Sequence, residues 1–65
     1  MRDEISSYFS DDGLLEAKVF HIGNHNFEVD FYKDSVKIVT ESYEDRSLQY
    51  HEDAAENYVL GIKLV

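Results

Sequence analysis

The spacing of apolar residues changes character along the chain, and the longest stretch of one period lies near its end. Winding residues 47–64, SLQYHEDAAENYVLGIKL, at about 100° per residue gathers Leu48, His51, Ala55, Tyr58, Val59 and Ile62 on one stripe. Gln49, Glu52, Asp53, Glu56, Asn57 and Lys63 fall on the other side. This pattern predicts an amphipathic helix over 46–64. Asp45 and Ser47 both have the side-chain chemistry to cap it.

Upstream the period shortens to two. In 26–33, Phe27, Val29 and Phe31 alternate with Glu28, Asp30 and Tyr32, the pattern of a half-buried strand. Residues 14–22 read as a strand before it and 36–41 as a strand after it, the latter with Val36, Ile38 and Thr40 inward. Gly23-Asn24-His25 suits a hairpin turn because Gly and Asn tolerate positive φ. Parity selects an odd loop here. It pairs Val19 with Val29 and Ala17 with Phe31 on one face and sets Lys18 across from Asp30 on the other, whereas an even loop puts Val29 beside Lys18. Asp34-Ser35 forms a second tight turn that pairs Phe31 with Ile38. Near the start, Ile5, Tyr8 and Phe9 recur at i, i+3 and i+4, which predicts a short helix over 2–10 ended by the turn residues Ser10-Asp11-Asp12-Gly13.

The predicted architecture is α+β, in the order α-β-β-β-α: a three-stranded antiparallel meander over 14–41 with the C-terminal helix packed on one face. Residues 1–13 supply the short N-terminal helix and a turn, and the whole of 1–65 forms one domain. The expected core is Leu15, Ala17, Val19, Phe27, Val29, Phe31, Val36, Ile38, Leu48, Ala55, Tyr58, Val59 and Ile62. The other sheet face carries Phe20, Ile22, Tyr32 and Val39 among its charges, so the N-terminal helix or a second chain should cover it.

Composition narrows the functions open to such a fold. A 65-residue chain buries only about 60% of its unfolded surface, and chains of this size often gain stability from a partner subunit. There are no cysteines, which excludes disulfides and zinc–thiolate sites and fits a reducing, cytoplasmic setting. No run is long and apolar enough for a membrane span, and MRDEISSYF lacks a signal-peptide core, so a soluble protein with no membrane partner is expected. Fourteen acids against six bases give a formal charge of −8, which disfavours direct nucleic-acid binding and favours a basic protein as partner.

Four groups of residues are candidates for function. Asp45, Glu52, Asp53 and Glu56 form an acidic strip on the last helix. Glu52 and Glu56 repel each other at i, i+4, a mild cost that a negative binding surface for a basic protein would explain; a solvated helix face in an acidic protein has the same pattern. Phe20, Ile22, Tyr32 and Val39 form an apolar set suited to an isologous homodimer, and Leu60, on the polar side of the last helix, is a separate candidate contact residue. His21 and His25 flank the first hairpin and, with nearby acids, offer a divalent-metal reading; no fixed spacing makes them converge, and no metal ligand set is assigned. His51 sits on the apolar stripe and reads as a core-edge group with a hydrogen bond. Paired carboxylates such as Asp11-Asp12 lack the concave, dry site that acid–base catalysis needs. No Ser-His-Asp set, phosphate-binding glycine loop or HExxH is present, so neither catalysis nor a cofactor is expected.

The predicted order of elements resembles that of double-stranded-RNA-binding domains. That family places lysines at the start of its last helix to grip phosphates, whereas the matching Tyr50-His51-Glu52-Asp53 has the opposite charge, leaving a likeness of fold alone. The segment YHEDAAENYVLGI, residues 50–62, resembles the C-terminal part of small uncharacterised proteins of large tailed bacteriophages. That resemblance carries no site residues. It implies a phage accessory protein, made in the host cytoplasm, that binds a host or phage protein. Sequence alone therefore favours a non-enzymatic acidic interaction module, with a self-assembling subunit and a metal binder as alternatives.

Overall fold

The computed structural model describes residues 2–65. Four strands precede one helix: β1 (Asp3–Phe9), β2 (Leu15–Gly23), β3 (Asn26–Lys33), β4 (Val36–Glu41) and α1 (Leu48–Val59). The strands form one antiparallel sheet in the order β1-β2-β3-β4. The helix lies on one face, over β2 with β3 and β1 beside it. The α+β class stands, but the three-stranded sheet and the N-terminal helix do not, and the order likened to an RNA-binding domain goes with them.

The segment expected as a helix is the edge strand β1. A β-bulge between Glu4 and Ser6 makes Ile5 the extra residue, after which Ser6 pairs with Val19 and Tyr8 with Ala17. The bulge breaks the alternation of Ile5 with Tyr8 and leaves a spacing that mimics a helical one. Two adjacent serines favour the extended form, and pairing with β2 satisfies backbone groups that a lone short helix would leave to water. The turn that follows is built as the sequence indicates. Ser10 Oγ donates to Asp12 Oδ1 at 2.6 Å, the Leu14 N–H donates to the same oxygen at 3.0 Å, and Gly13 takes φ +75°.

The β2–β3 hairpin has the expected register, with Val19 opposite Val29, Ala17 opposite Phe31 and Lys18 opposite Asp30. Its odd count is absorbed by a bulge at Ile22, so that Gly23 pairs with Asn26 around Asn24-His25. The β3–β4 turn places Asp34 at φ +54° and Ser35 at φ +67°, the two positive angles of a type I′ turn. Beyond it another bulge changes the outcome. Tyr32 pairs with Lys37 but Phe31 pairs with Val39, leaving Ile38 as the extra residue. That single-residue slip reverses the predicted facing of the strand beyond the bulge, while Val36 before it keeps its predicted side. Val39 packs against the core, Thr40 lies on the opposite face, and Val36 and Ile38 are exposed at 62% and 47%.

The helix begins where Ser47 Oγ accepts the Tyr50 N–H at 3.3 Å, so Ser47 rather than Asp45 is the cap. It ends sooner than predicted. Gly61 adopts φ +82°, its N–H donates to the Tyr58 carbonyl at 3.0 Å, and the Ile62 N–H donates to the Asn57 carbonyl at 2.9 Å. This paired closure is a Schellman motif, which turns the chain out of the helix and leaves Ile62 exposed instead of in the core. The tail then passes toward β4, where Lys63 Nζ lies 3.5 Å from Glu41 and 6.0 Å from the Phe31 ring centroid.

Between sheet and helix are buried Ala17, Val19, Val29, Phe31, Ala54, Ala55, Tyr58 and Val59. Tyr8, Leu15, Val39, Tyr43 and Leu48 pack around them. Phe31 and Tyr58 meet edge to face with centroids 4.9 Å apart, and the Tyr58 hydroxyl donates to the Tyr32 carbonyl at 2.9 Å, so its polar tip is satisfied at the core margin.

Candidate functional site

The four acids assigned to the helix face separate in space. Asp45 lies in the turn before α1 at φ +61°, not on the helix. Glu52 turns toward β1, where it accepts hydrogen bonds from Ser6 Oγ at 2.6 Å and from the Tyr8 hydroxyl. That contact, with burial, pushes the Tyr8 hydroxyl up to about 12. Asp53, bonded to Gln49 Nε2 at 2.8 Å, and Glu56 remain on the exposed surface. Glu52 thus ties helix to sheet, and the free helix surface presents Asp53 and Glu56.

The chain's cations pair with only part of its acids. The ion pairs among the described residues join Arg2 to Glu28 and Asp30, Lys18 to Glu4 and Glu16, and Lys63 to Glu41. Each of those acids belongs to the sheet. Residues Leu48–Val59 contain no lysine or arginine. Among the described residues, no ion pair includes an acid of α1, Asp11 and Asp12 of the β1–β2 turn, Glu44 and Asp45, Asp3 at the start of β1, or Asp34 of the β3–β4 turn. Next to the helix end, an open hollow of about 370 Å³ is lined by Phe9, Asp11, Asp12, Leu15, Val59 and Leu60.

The expected apolar set is also divided. Phe20 and Tyr32 lie on the sheet face away from the helix, but cations cover them. The Arg2 guanidinium stands 3.9 Å above the Phe20 ring centroid, and Lys18 Nζ lies 5.5 Å from that of Tyr32. Ile22 is the half-buried bulge residue at the end of β2. Val39 packs on the helix side of the sheet, and Leu60, 64% exposed, caps the end of α1. Val39 therefore does not share the face of Phe20 and Tyr32 as expected.

His51 is a buried structural group. Its Nδ1–H donates to the Ser47 carbonyl at 2.8 Å and its Nε2 accepts the Tyr43 N–H at 3.2 Å, with the rings of Phe27 and Tyr43 at 5.5 and 5.1 Å. Both ring nitrogens are occupied in tying the 42–47 connector to the helix. His21 bonds the Asn24 carbonyl through Nε2 at 2.8 Å, and His25 is exposed in the turn. Among the described residues no three His, Cys, Asp or Glu side chains gather as a metal site. Among the described residues no helix is long and apolar enough to cross a membrane.

One constellation escaped sequence reasoning. Asp30 is only 1% exposed although no helix covers its face of the sheet. Arg2 Nη2 donates to its Oδ1 at 2.9 Å, and Thr40 Oγ1 donates to the same oxygen at 2.6 Å. Burial pushes the Asp30 carboxyl up, but the hydrogen bonds from Thr40 and Arg2 outweigh it and hold the carboxyl below its ordinary range. The Lys18–Asp30 pairing was legible in the strand register. Arg2 was not, because the segment holding it read as a helix. No known protein family, curated protein or solved structure matches this chain.

Proposed function

We propose that this chain is a non-enzymatic acidic interaction module that recognises a basic surface on another protein. The observation that carries the reading is the sorting of charge. Five acids of the strands, Glu4, Glu16, Glu28, Asp30 and Glu41, are paired with the chain's own cations, while Asp3, the acids of α1 and those of its flanking turns are in no ion pair among the described residues. The recognition surface runs from Asp45 along Asp53 and Glu56 to Asp11 and Asp12. There the acids adjoin apolar Phe9 and Leu60, a combination that suits a lysine or arginine with its aliphatic stem buried and its charge paired. A phage accessory role, as the resemblance of residues 50–62 implies, accords with such a partner.

The test is affinity capture from cell lysate with tagged protein, comparing wild type with an Asp45→Asn, Asp53→Asn, Glu56→Gln variant. Glu52 is left intact because it holds β1. A stoichiometric partner that the folded variant fails to capture supports the proposal. Equal capture by both refutes it. A second reading, self-assembly, is favoured by apolar side chains on both edge strands: Ile5 and Phe9 on β1, Val36 and Ile38 on β4, all more than 40% exposed. Sedimentation equilibrium showing a monomer at high concentration removes that reading.

A further inference from the structure

On the open face of the sheet, groups from three strands hold the chain's own Arg2 side chain. The Arg2 guanidinium carbon stands over Phe20, 3.9 Å from the ring centroid. Its Nε donates to Glu28 and its Nη2 to Asp30 Oδ1 at 2.9 Å. Thr40 Oγ1 donates to the same Asp30 oxygen at 2.6 Å. Three strands contribute: Phe20 from β2, Glu28 and Asp30 from β3, and Thr40 from β4. The cation comes from a residue just outside β1 whose own side chain is 41% exposed, whereas the Asp30 side chain is 1% exposed. Asp30 is thus buried at the centre of half-buried Phe20 and Glu28 and exposed Thr40, and the occupant of the site is peripheral and tethered.

We infer that Phe20, Glu28, Asp30 and Thr40 form a guanidinium-binding site, held shut in cis by Arg2, that accepts an arginine side chain of another polypeptide when Arg2 leaves. The chemistry selects arginine over lysine. A planar, delocalised cation can stack on Phe20 while donating to two carboxylates, and an ammonium cannot do both. Arg2 competes with any incoming arginine at an effective concentration on the order of millimolar, as expected for a short tether. The site therefore discriminates against free arginine and responds to a partner that also contacts the surface around it. It lies on the sheet face opposite α1 and does not depend on the acidic helix surface.

The experiment uses the full chain with Arg2→Ala and amide chemical-shift titration with N-acetyl-arginine methylamide. Saturable shifts at Phe20, Glu28, Asp30 and Thr40 are expected, with affinity about tenfold higher than wild type shows and about tenfold higher than for N-acetyl-lysine methylamide. Adding Asp30→Asn to the variant should abolish them. No saturable shift in folded Arg2→Ala, an equal response to the lysine analogue, or persistence after Asp30→Asn overturns the inference. Wild type supplies an independent readout should Arg2→Ala fail to fold. The Arg2 Nε–H resonance should be protected from exchange and lose that protection as the arginine analogue is added. A resonance unprotected at the outset overturns the site equally.

Discussion

Replacing Glu52 with alanine should destabilise the fold, although this residue looks like part of a solvated acidic strip. Its carboxylate receives the Ser6 and Tyr8 hydroxyls, and these are side-chain links between α1 and the edge strand β1. Hydrogen bonds to charged groups are worth roughly 1.5–3 kcal/mol each. All three groups are only partly buried, so the freed hydroxyls regain water. Loss of repulsion with Glu56 returns a few tenths of a kcal/mol. A net cost of about 2 kcal/mol remains, which for a domain of this size lowers Tm by on the order of 10 °C. Glu56→Ala, at an exposed position with no side-chain partner among the described residues, should cost less than about 0.5 kcal/mol. The assay is thermal unfolding followed by far-ultraviolet circular dichroism near neutral pH. A double-mutant cycle with Tyr8→Phe should then return a coupling of about 1 kcal/mol. If Glu52→Ala and Glu56→Ala melt together, Glu52 does not link helix to sheet, and the division of the acids into structural and free ones fails.

The same link predicts a loss of stability in alkali. The Tyr8 hydroxyl is pushed up to about 12, first by its hydrogen bond to Glu52, so its folded value lies above the unfolded value of about 10. Its contribution is complete below pH about 10 and disappears as pH rises toward about 12. Burial and Glu41 raise Tyr43, and burial raises Tyr58, in the same direction. Denaturant midpoints across this window should fall with pH, and the fall should be shallower in Tyr8→Phe; a flat profile contradicts the assignment. Ser47→Ala removes the cap that accepts the Tyr50 N–H and should cost about 1 kcal/mol in urea unfolding. Gly61→Ala meets nothing within 4 Å, so its cost is that of a side chain at φ +82°, about 1 kcal/mol; an unchanged midpoint would mean that the helix end does not need the left-handed residue.

Much of the interior was readable because period and parity speak for themselves when no residue is added. Phe27, Val29 and Phe31 alternate cleanly, and the Val19–Val29 and Ala17–Phe31 pairs followed from the requirement that one face stay apolar. Leu48, His51, Ala55, Tyr58 and Val59 followed from a helical period. The misreadings cluster where a bulge adds one residue. The bulge at Ile5 disguised a strand as a helix, and the one at Ile38 exchanged the facing of Ile38 and Val39. Ile62 was drawn into the core by a periodicity that Gly61 interrupts. The acidic strip was legible as composition but not as geometry, because Glu52 finds its partners on a strand the pattern concealed. The Arg2–Asp30 contact was hidden for the same reason.

The most direct test of the acidic-surface account is the affinity of the captured partner for wild type as a function of salt. The account predicts a fall of about tenfold or more between roughly 50 and 300 mM salt, with the Asp45→Asn, Asp53→Asn, Glu56→Gln variant binding weakly throughout. An affinity indifferent to salt, and equal in the folded variant, would show that the acids of this face serve only to keep it in water.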